Sequence, residues 1–154
     1  MASKNVALPG LLRPPLVLLT AIALGVVLNS IWPLPFIPSA LVLAGPVVLF
    51  AAVLLFILSL REFRAAGTSV RGTERTSTIV RTGPYRFSRN PIYLAFVLFL
   101  LGLALLLNNL WLLIALASFV GFISIIVIPR EEQFLENNFQ AQYSEYKATV
   151  RRWL

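Results

Sequence analysis

The sequence predicts an all-α integral membrane protein, with four transmembrane helices and a C-terminal amphipathic helix on the cytoplasmic side. The 154-residue chain is 58% hydrophobic and only 12% charged. A soluble domain of this size leaves roughly a third of its unfolded surface exposed, so it could not bury that many apolar side chains. The apolar residues also form long uncharged runs, with the charged residues between and beyond them. The expected solvent is therefore a lipid bilayer.

Four apolar runs are each long enough to cross the hydrocarbon core of a bilayer. The predicted spans are about 15–32, 38–60, 91–107 and 110–128. The last two come from one apolar stretch nearly twice the length of a single span, and Asn108-Asn109 near its middle suits a tight turn. Gly45-Pro46 predicts a kink in the second span, because proline removes a helical hydrogen bond.

The positions of the charges predict the topology. All 13 lysines and arginines lie in the N-terminus, in the segment 61–90 or in the C-terminus, and none lies in the turns at 33–38 and 108–109. Under the positive-inside rule, both termini and the polar 61–90 segment are cytoplasmic. The whole chain, 1–154, is interpreted as one transmembrane domain.

The polar C-terminal region, 130–154, is predicted to be one helix. Its apolar side chains recur every three or four residues, which is one face of an α-helix. They are Leu135, Phe139, Tyr143, Tyr146, Val150 and Trp153. Such a helix, ending in Arg151-Arg152, could lie on the cytoplasmic leaflet or pack beneath the spans, and both placements stay open.

The composition also excludes several kinds of site. The chain has no histidine and no cysteine, which removes imidazole bases, thiolate nucleophiles and the usual zinc ligands, so no metal is expected. The net charge of +7 is assigned to membrane flanks and anionic headgroups, and no nucleic-acid partner is expected. No catalytic residue can be assigned from composition.

Three polar features each allow two interpretations. Asn90-Pro91 is a good helix start, but a helix N-terminus beside Arg89 also binds anions. Glu131-Glu132 could simply stabilise a first helical turn, or could face the arginine-rich segment and hold a ligand with an ammonium and a carboxylate. Three aromatic residues near them could form an interfacial belt or the wall of a pocket. They are Tyr85, Phe87 and Tyr93.

Two stretches together resemble the superfamily of isoprenylcysteine carboxyl methyltransferases and phospholipid methyltransferases. The first is STIVRTGPYRFSRNPIYLAF, and REEQFLENNFQAQYSEYKATVRRWL follows it after two predicted spans. The shared elements are a G-x-Y turn, an R-[HN]-P-x-Y helix start, a Glu-Glu pair after the next span and a tyrosine-containing tail. The resemblance covers about residues 61–154.

The resemblance implies an integral-membrane methyltransferase that uses S-adenosylmethionine and acts on a membrane-embedded lipid or another apolar small molecule. It also implies a cytoplasm-facing cofactor site, carried over residue by residue. The residues are Ser77, Thr78, Ile79 and Val80 beside the adenosine half, Tyr85, Arg89, Asn90, Pro91, Ile92 and Tyr93 at the helix start, and Glu131 with Glu132 for the cofactor's polar groups.

The chain departs from the superfamily pattern at several positions. Asn90 stands where carboxyl methyltransferases have histidine, Gln140 stands where the tail has glycine, and Arg130 is out of register with a substrate-binding arginine. The methyl acceptor therefore stays open. Two alternatives also remain: an NADPH-dependent enzyme resembling sterol reductases, and a non-catalytic four-helix membrane protein.

Overall fold

The computed structural model describes residues 13–68 and 77–154, and in these two ranges the chain is helical without any strand. The helices are α1 (Pro14–Ile31), α2 (Ala44–Ala65), α3 (Pro91–Leu106), α4 (Leu110–Phe122) and α5 (Ile128–Thr149). The N-terminal basic flank and the middle of the predicted 61–90 segment lie outside the described residues. The all-α prediction is confirmed.

Three of the helical stretches are long and apolar enough to cross a membrane: Pro14–Ile31, Ser39–Ala65 and the apolar part of Leu110–Thr149. α3 is apolar as well but shorter. Their outward side chains are bulky and hydrophobic, and Phe50, for example, is 71% exposed. Exposed apolar surface on this scale requires an apolar solvent, so the structure is that of an integral membrane protein.

α2 and α3 pack closely because glycines lie where the two helices meet. A Cβ added to Gly45 would stand 2.6 Å from the backbone nitrogen of Leu106, and one added to Gly102 would stand 2.7 Å from Cγ of Leu49. Both distances are far below van der Waals contact. Small residues of this kind let membrane helices approach where no hydrophobic effect drives them together.

The predicted kink within the second span is not a break between two α-helical halves. Ser39–Leu43 forms a 3₁₀ turn, and α2 begins directly after it at Ala44. Pro46 therefore lies in the first turn of α2, where a backbone N–H has no partner within the helix and its loss costs little.

Asn108 and Asn109 form the predicted turn between α3 and α4. Asn108 takes a positive φ of 44°, and its side-chain oxygen accepts hydrogen bonds from the backbone amides of Phe36 and Ile37 at 2.8 and 3.0 Å. The side chain of Asn109 accepts from the amide of Leu112 at 3.3 Å and so caps α4. The turn thereby holds the α1–α2 connection at the same end of the molecule.

No loop separates α4 from α5. A π-helical turn, Ile123–Val127, joins them and ends two residues before Pro129. A proline inside a helix lacks an N–H and its ring crowds the preceding turn, so the wider π turn accommodates it. α5 ends at Thr149 and residues 150–154 are not helical, whereas the sequence predicted helix from 130 to 154.

α5 contains one strained residue. Gln140 has φ 37° and ψ −111° inside the helix, which bends there. Only glycine adopts positive φ without steric cost. Gln140 is also the position at which the superfamily tail has glycine.

We predict that Gln140→Gly raises the thermal melting temperature in detergent, through relief of about 1–3 kcal/mol of backbone strain. Ala141→Gly, one residue further along α5, is the matched control and should lower stability by about 0.5–1 kcal/mol. A lower melting temperature for Gln140→Gly would show that the bend carries no strain.

Candidate functional site

The start of α3, the start of α5 and the last five residues meet at one end of the molecule. We call residues 150–154 the C-terminal strap. The backbone amide of Arg89 donates to the carbonyl oxygen of Arg151 at 3.0 Å, and the side-chain amide of Asn90 donates to that of Arg152 at 3.0 Å. The strap therefore lies directly against the residues that precede α3.

Asn90 does not cap α3 through its side chain, although the sequence favoured that role. Its side chain makes no capping hydrogen bond, because its amide is directed to the strap instead. Its backbone amide donates to Oγ of Ser88 at 3.1 Å. Pro91 occupies the first helical position, as predicted. Because Asn90 does not cap the helix, the first amides of α3 have no side-chain cap among the described residues.

Glu131 and Tyr93 form a hydrogen-bonded pair between α5 and α3. The hydroxyl of Tyr93 donates to Oε1 of Glu131 at 2.7 Å. Burial raises the pKa of Glu131 to about 7, the hydrogen bond from Tyr93 opposes the rise, and the neighbouring charge of Glu132 adds to it. The carboxyl group therefore changes its charge near neutral pH.

Glu132 is held between two arginines. Arg152 makes a forked contact, with Nε 3.2 Å from Oε1 and Nη2 2.6 Å from Oε2. Nη1 of Arg89 lies 3.2 Å from Oε1, and the side chains of Arg89 and Glu132 are each only 9% exposed. Nε of Arg89 is buried and has no hydrogen-bond partner among the described residues.

Three tyrosines pack behind these charges. The hydroxyl of Tyr146 donates to the backbone carbonyl of Tyr85 at 2.8 Å, and Nη1 of Arg89 donates to the hydroxyl of Tyr143 at 3.4 Å. Burial is the main cause that raises the pKa of Tyr143 to about 12, and it also raises the pKa values of Tyr85 and Tyr146. All three remain neutral at physiological pH.

Arg81 fixes the segment that enters the site from the N-terminal side. Its guanidinium lies 3.1 Å from the carboxylate of Glu145, donates to the carbonyl oxygen of Gln142 and stands 5.9 Å from the ring centre of Tyr146. The predicted adenosine-contacting segment, 77–80, leads directly into Arg81, and its last residue is buried.

The structure brings five of the predicted site residues to the region where α3 and α5 begin. They are Arg89, Asn90, Tyr93, Glu131 and Glu132. Pro91 and Ile92 lie in the same helix start, and Tyr85 is joined to α5 through Tyr146. Ser77 and Thr78 are exposed and form no hydrogen bond or ion pair with this group within the described ranges.

Three residues of this region were not predicted as site residues. Tyr143 and Tyr146 belong to the predicted stripe of the C-terminal helix, and their burial could have been inferred from that spacing. Arg152 was expected only at the end of the C-terminal helix, either on the cytoplasmic leaflet or beneath the spans. Its pairing with Glu132 joins residues 20 positions apart and has no local signature in the sequence.

The fold and this charged region define a helical membrane protein that, in the residues the structure describes, has a polar site at an end of its helices. Residues 39–142 match the phospholipid methyltransferase family, and the chain belongs to that family. The match contains Glu131 and Glu132 and ends before the strap.

One relative is an uncharacterized protein of Haemophilus influenzae, which is 40% identical over 63 residues, or 41% of this chain and 100% of that protein. No solved structure matches the chain. Membership of the family favours methyl transfer over the NADPH-dependent and non-catalytic alternatives.

We predict that Glu131 makes folding stability depend on pH. Because the pKa of this carboxyl group is about 7 in the folded protein, against an ordinary glutamate value of 4.5, the folded state binds the extra proton between those values. The contribution of this group to stability should therefore fall as pH rises from about 4.5 to about 7, and then level off.

Glu131→Gln cannot ionise, so it should remove this slope. At pH 8 it should raise the free energy of unfolding by up to about 3 kcal/mol, and the melting temperature should rise with it. Thermal melting in detergent across this pH range is the measurement. Glu136→Gln should leave the slope unchanged, because Glu136 forms an exposed pair with Lys147. If the pH dependence of stability persists in Glu131→Gln, another titrating group is responsible for it.

Proposed function

We propose that the protein transfers a methyl group from S-adenosylmethionine to a membrane-embedded lipid or another apolar small molecule. The observation that carries this proposal is the polar cluster at the start of α3, inside the family match. There, Nε of Arg89 is buried without a hydrogen-bond partner among the described residues, and α3, which starts two residues later, has no side-chain cap.

The residues present fit the charges of this cofactor. Its amino-acid end carries a carboxylate, which suits Nε of Arg89 and the first amides of α3. Its α-ammonium and ribose hydroxyls suit the carboxylate of Glu131, which Tyr93 orients through their hydrogen bond. Tyr85 and Ile92 offer apolar walls for the adenine, and the segment 77–80 offers backbone groups for the adenosine half.

The protein's own part in the reaction is to bind, orient and exclude water. When bound, the cofactor supplies an electrophilic methyl group on a sulfonium, and displacement of the thioether by an acceptor atom requires no metal. Tyr143 and Tyr146, which are buried and neutral, shield the charged residues from solvent behind the site. Alignment of the two reactants in a water-poor site is the main source of acceleration in such a reaction.

We also propose how the helices cross the membrane. α1, α2, α3 and the apolar part of the α4–α5 helix form four spans, with the site and both termini cytoplasmic. The asparagine turn and the α1–α2 connection are bonded together at one end. Glu62 near the end of α2, Arg89 just before α3 and Glu132 near the start of α5 lie at the opposite ends of these helices. The positive-inside rule assigns the arginine-rich end to the cytoplasm.

Glu131→Gln is predicted to weaken binding of S-adenosylhomocysteine by about 1.5–3 kcal/mol, the loss expected for a charge-assisted hydrogen bond. Calorimetric titration in detergent, with thermal melting of each variant, is the measurement. For the wild type, affinity should also fall as pH drops below about 7, because the carboxyl group then takes up a proton.

Glu136→Gln is the control, because its pair with Lys147 is exposed and should leave affinity unchanged. Asn90→Ala should also weaken binding, and Tyr93→Phe should do so more mildly. Unchanged affinity in a folded Glu131→Gln would remove this residue from the cofactor site.

The topology is predicted to show in cysteine labelling, since the native chain has no cysteine. Cysteine at Ser39 or Leu107, both exposed, should react with an impermeant maleimide from outside the cell. Cysteine at the exposed Ser144 should react only after the membrane is permeabilised. Cytoplasmic labelling at position 39 or 107 would contradict the four-span arrangement.

A further inference from the structure

The C-terminal strap belongs physically to the site although it lies beyond the family match. Two donors just before α3, the backbone amide of Arg89 and the side chain of Asn90, bond to the carbonyl oxygens of Arg151 and Arg152 at 3.0 Å each. Trp153 packs against the buried apolar core, which includes Leu100 and Phe119. The strap is thus fixed through both its main chain and a large side chain.

The charges around Glu132 do not balance within their own group. Its single carboxylate serves two guanidinium groups, those of Arg89 and Arg152. Glu131 accepts its hydrogen bond from Tyr93 and not from either arginine. A side chain as buried as that of Arg89, 9% exposed, is costly to keep charged without a compensating anion, and Glu132 compensates it only in part because Arg152 shares the same carboxylate.

Donors without a side-chain partner among the described residues indicate where a further anion would bind. Nε of Arg89 is buried and unbonded among the described residues, and the next helix, α3, starts two residues later without a side-chain cap. A guanidinium N–H and a helix N-terminus both favour negative charge. Together they match a carboxylate.

We propose that Arg152 is a positioning residue for ligand binding. Arg152 binds Glu132 in a forked contact and holds the Glu132 carboxylate against Arg89. This contact orients the guanidinium of Arg89 so that its unbonded Nε is directed at the carboxylate of a ligand. Arg152 itself does not touch the ligand. The inference rests on the proposed function, because it identifies that carboxylate as the one on the amino-acid end of the cofactor.

The test compares two ligands on the full chain in detergent. One is S-adenosylhomocysteine, and the other is its decarboxylated analogue, which lacks only the carboxylate. Arg152→Gln should weaken binding of the first by about tenfold, as for the loss of a well-placed charge-assisted hydrogen bond, and should leave binding of the second unchanged. A general loosening of the fold would weaken both ligands alike.

Arg151→Gln is the matched control. Arg151 is the preceding residue of the strap, its side chain is exposed, and it makes no ion pair within the described residues, so both affinities should stay at the wild-type value. Arg152→Lys keeps the charge but not the fork. It should show the same carboxylate-selective loss in smaller measure, which provides the test if Arg152→Gln melts below the titration temperature.

The outcomes separate the two proposals. If the wild type binds S-adenosylhomocysteine but the Arg152 variants lose nothing, or lose both ligands equally, the positioning role is overturned while the cofactor assignment stands. If the wild type binds neither ligand, the proposed function fails and this inference fails with it. A loss confined to the carboxylate-bearing ligand supports both.

Discussion

The carboxylate of Glu132, buried between Arg89 and Arg152, is the contact on which the charged end of the molecule depends. Its three members come from the loop before α3, the start of α5 and the strap. Removal of one partner from a buried ion pair costs about 3–5 kcal/mol, because the remaining charge is left without compensation. With the pair intact, the strap stays against Asn90, and the guanidinium of Arg89 keeps one orientation. Tyr93 and Glu131 lie in the first turns of α3 and α5, so the position of their hydrogen bond depends on how these two helix starts are placed.

The two ends of the molecule satisfy one constraint by different chemistry. In an apolar solvent every backbone donor and acceptor needs an internal partner, so connections between helices must be short or well bonded. At one end, uncharged asparagine side chains provide the partners, as Asn108 does for Phe36 and Ile37. At the other end, Arg81, Asn90 and Tyr146 donate to backbone carbonyl oxygens, and arginines and glutamates pair with one another. Neutral amides suit a purely structural turn, whereas the paired charges at the other end leave Nε of Arg89 without a hydrogen-bond partner among the described residues.

Local features of the sequence were sufficient to predict the helices and the turn at Asn108-Asn109, because hydropathy and turn propensity act over short distances. The convergence of Arg89, Asn90, Tyr93, Glu131 and Glu132 was expected only through the resemblance to a superfamily. The partner of the Asn90 side chain was not predictable, since capping preference is local and Arg152 lies 62 residues away. The π turn was missed for a related reason: Pro129 predicts an interruption, but only the packing of α4 and α5 decides that the helix continues through it.

The bond between Asn108 and the α1–α2 connection also bears on how the protein is made. The amides of Phe36 and Ile37 find their acceptor 72 and 71 residues later in the chain. During synthesis the first pair of helices therefore leaves the ribosome with an unfinished connection, which only the second pair completes. The connection between α1 and α2 thus acquires these two hydrogen bonds only after α3 and the turn that follows it have been translated.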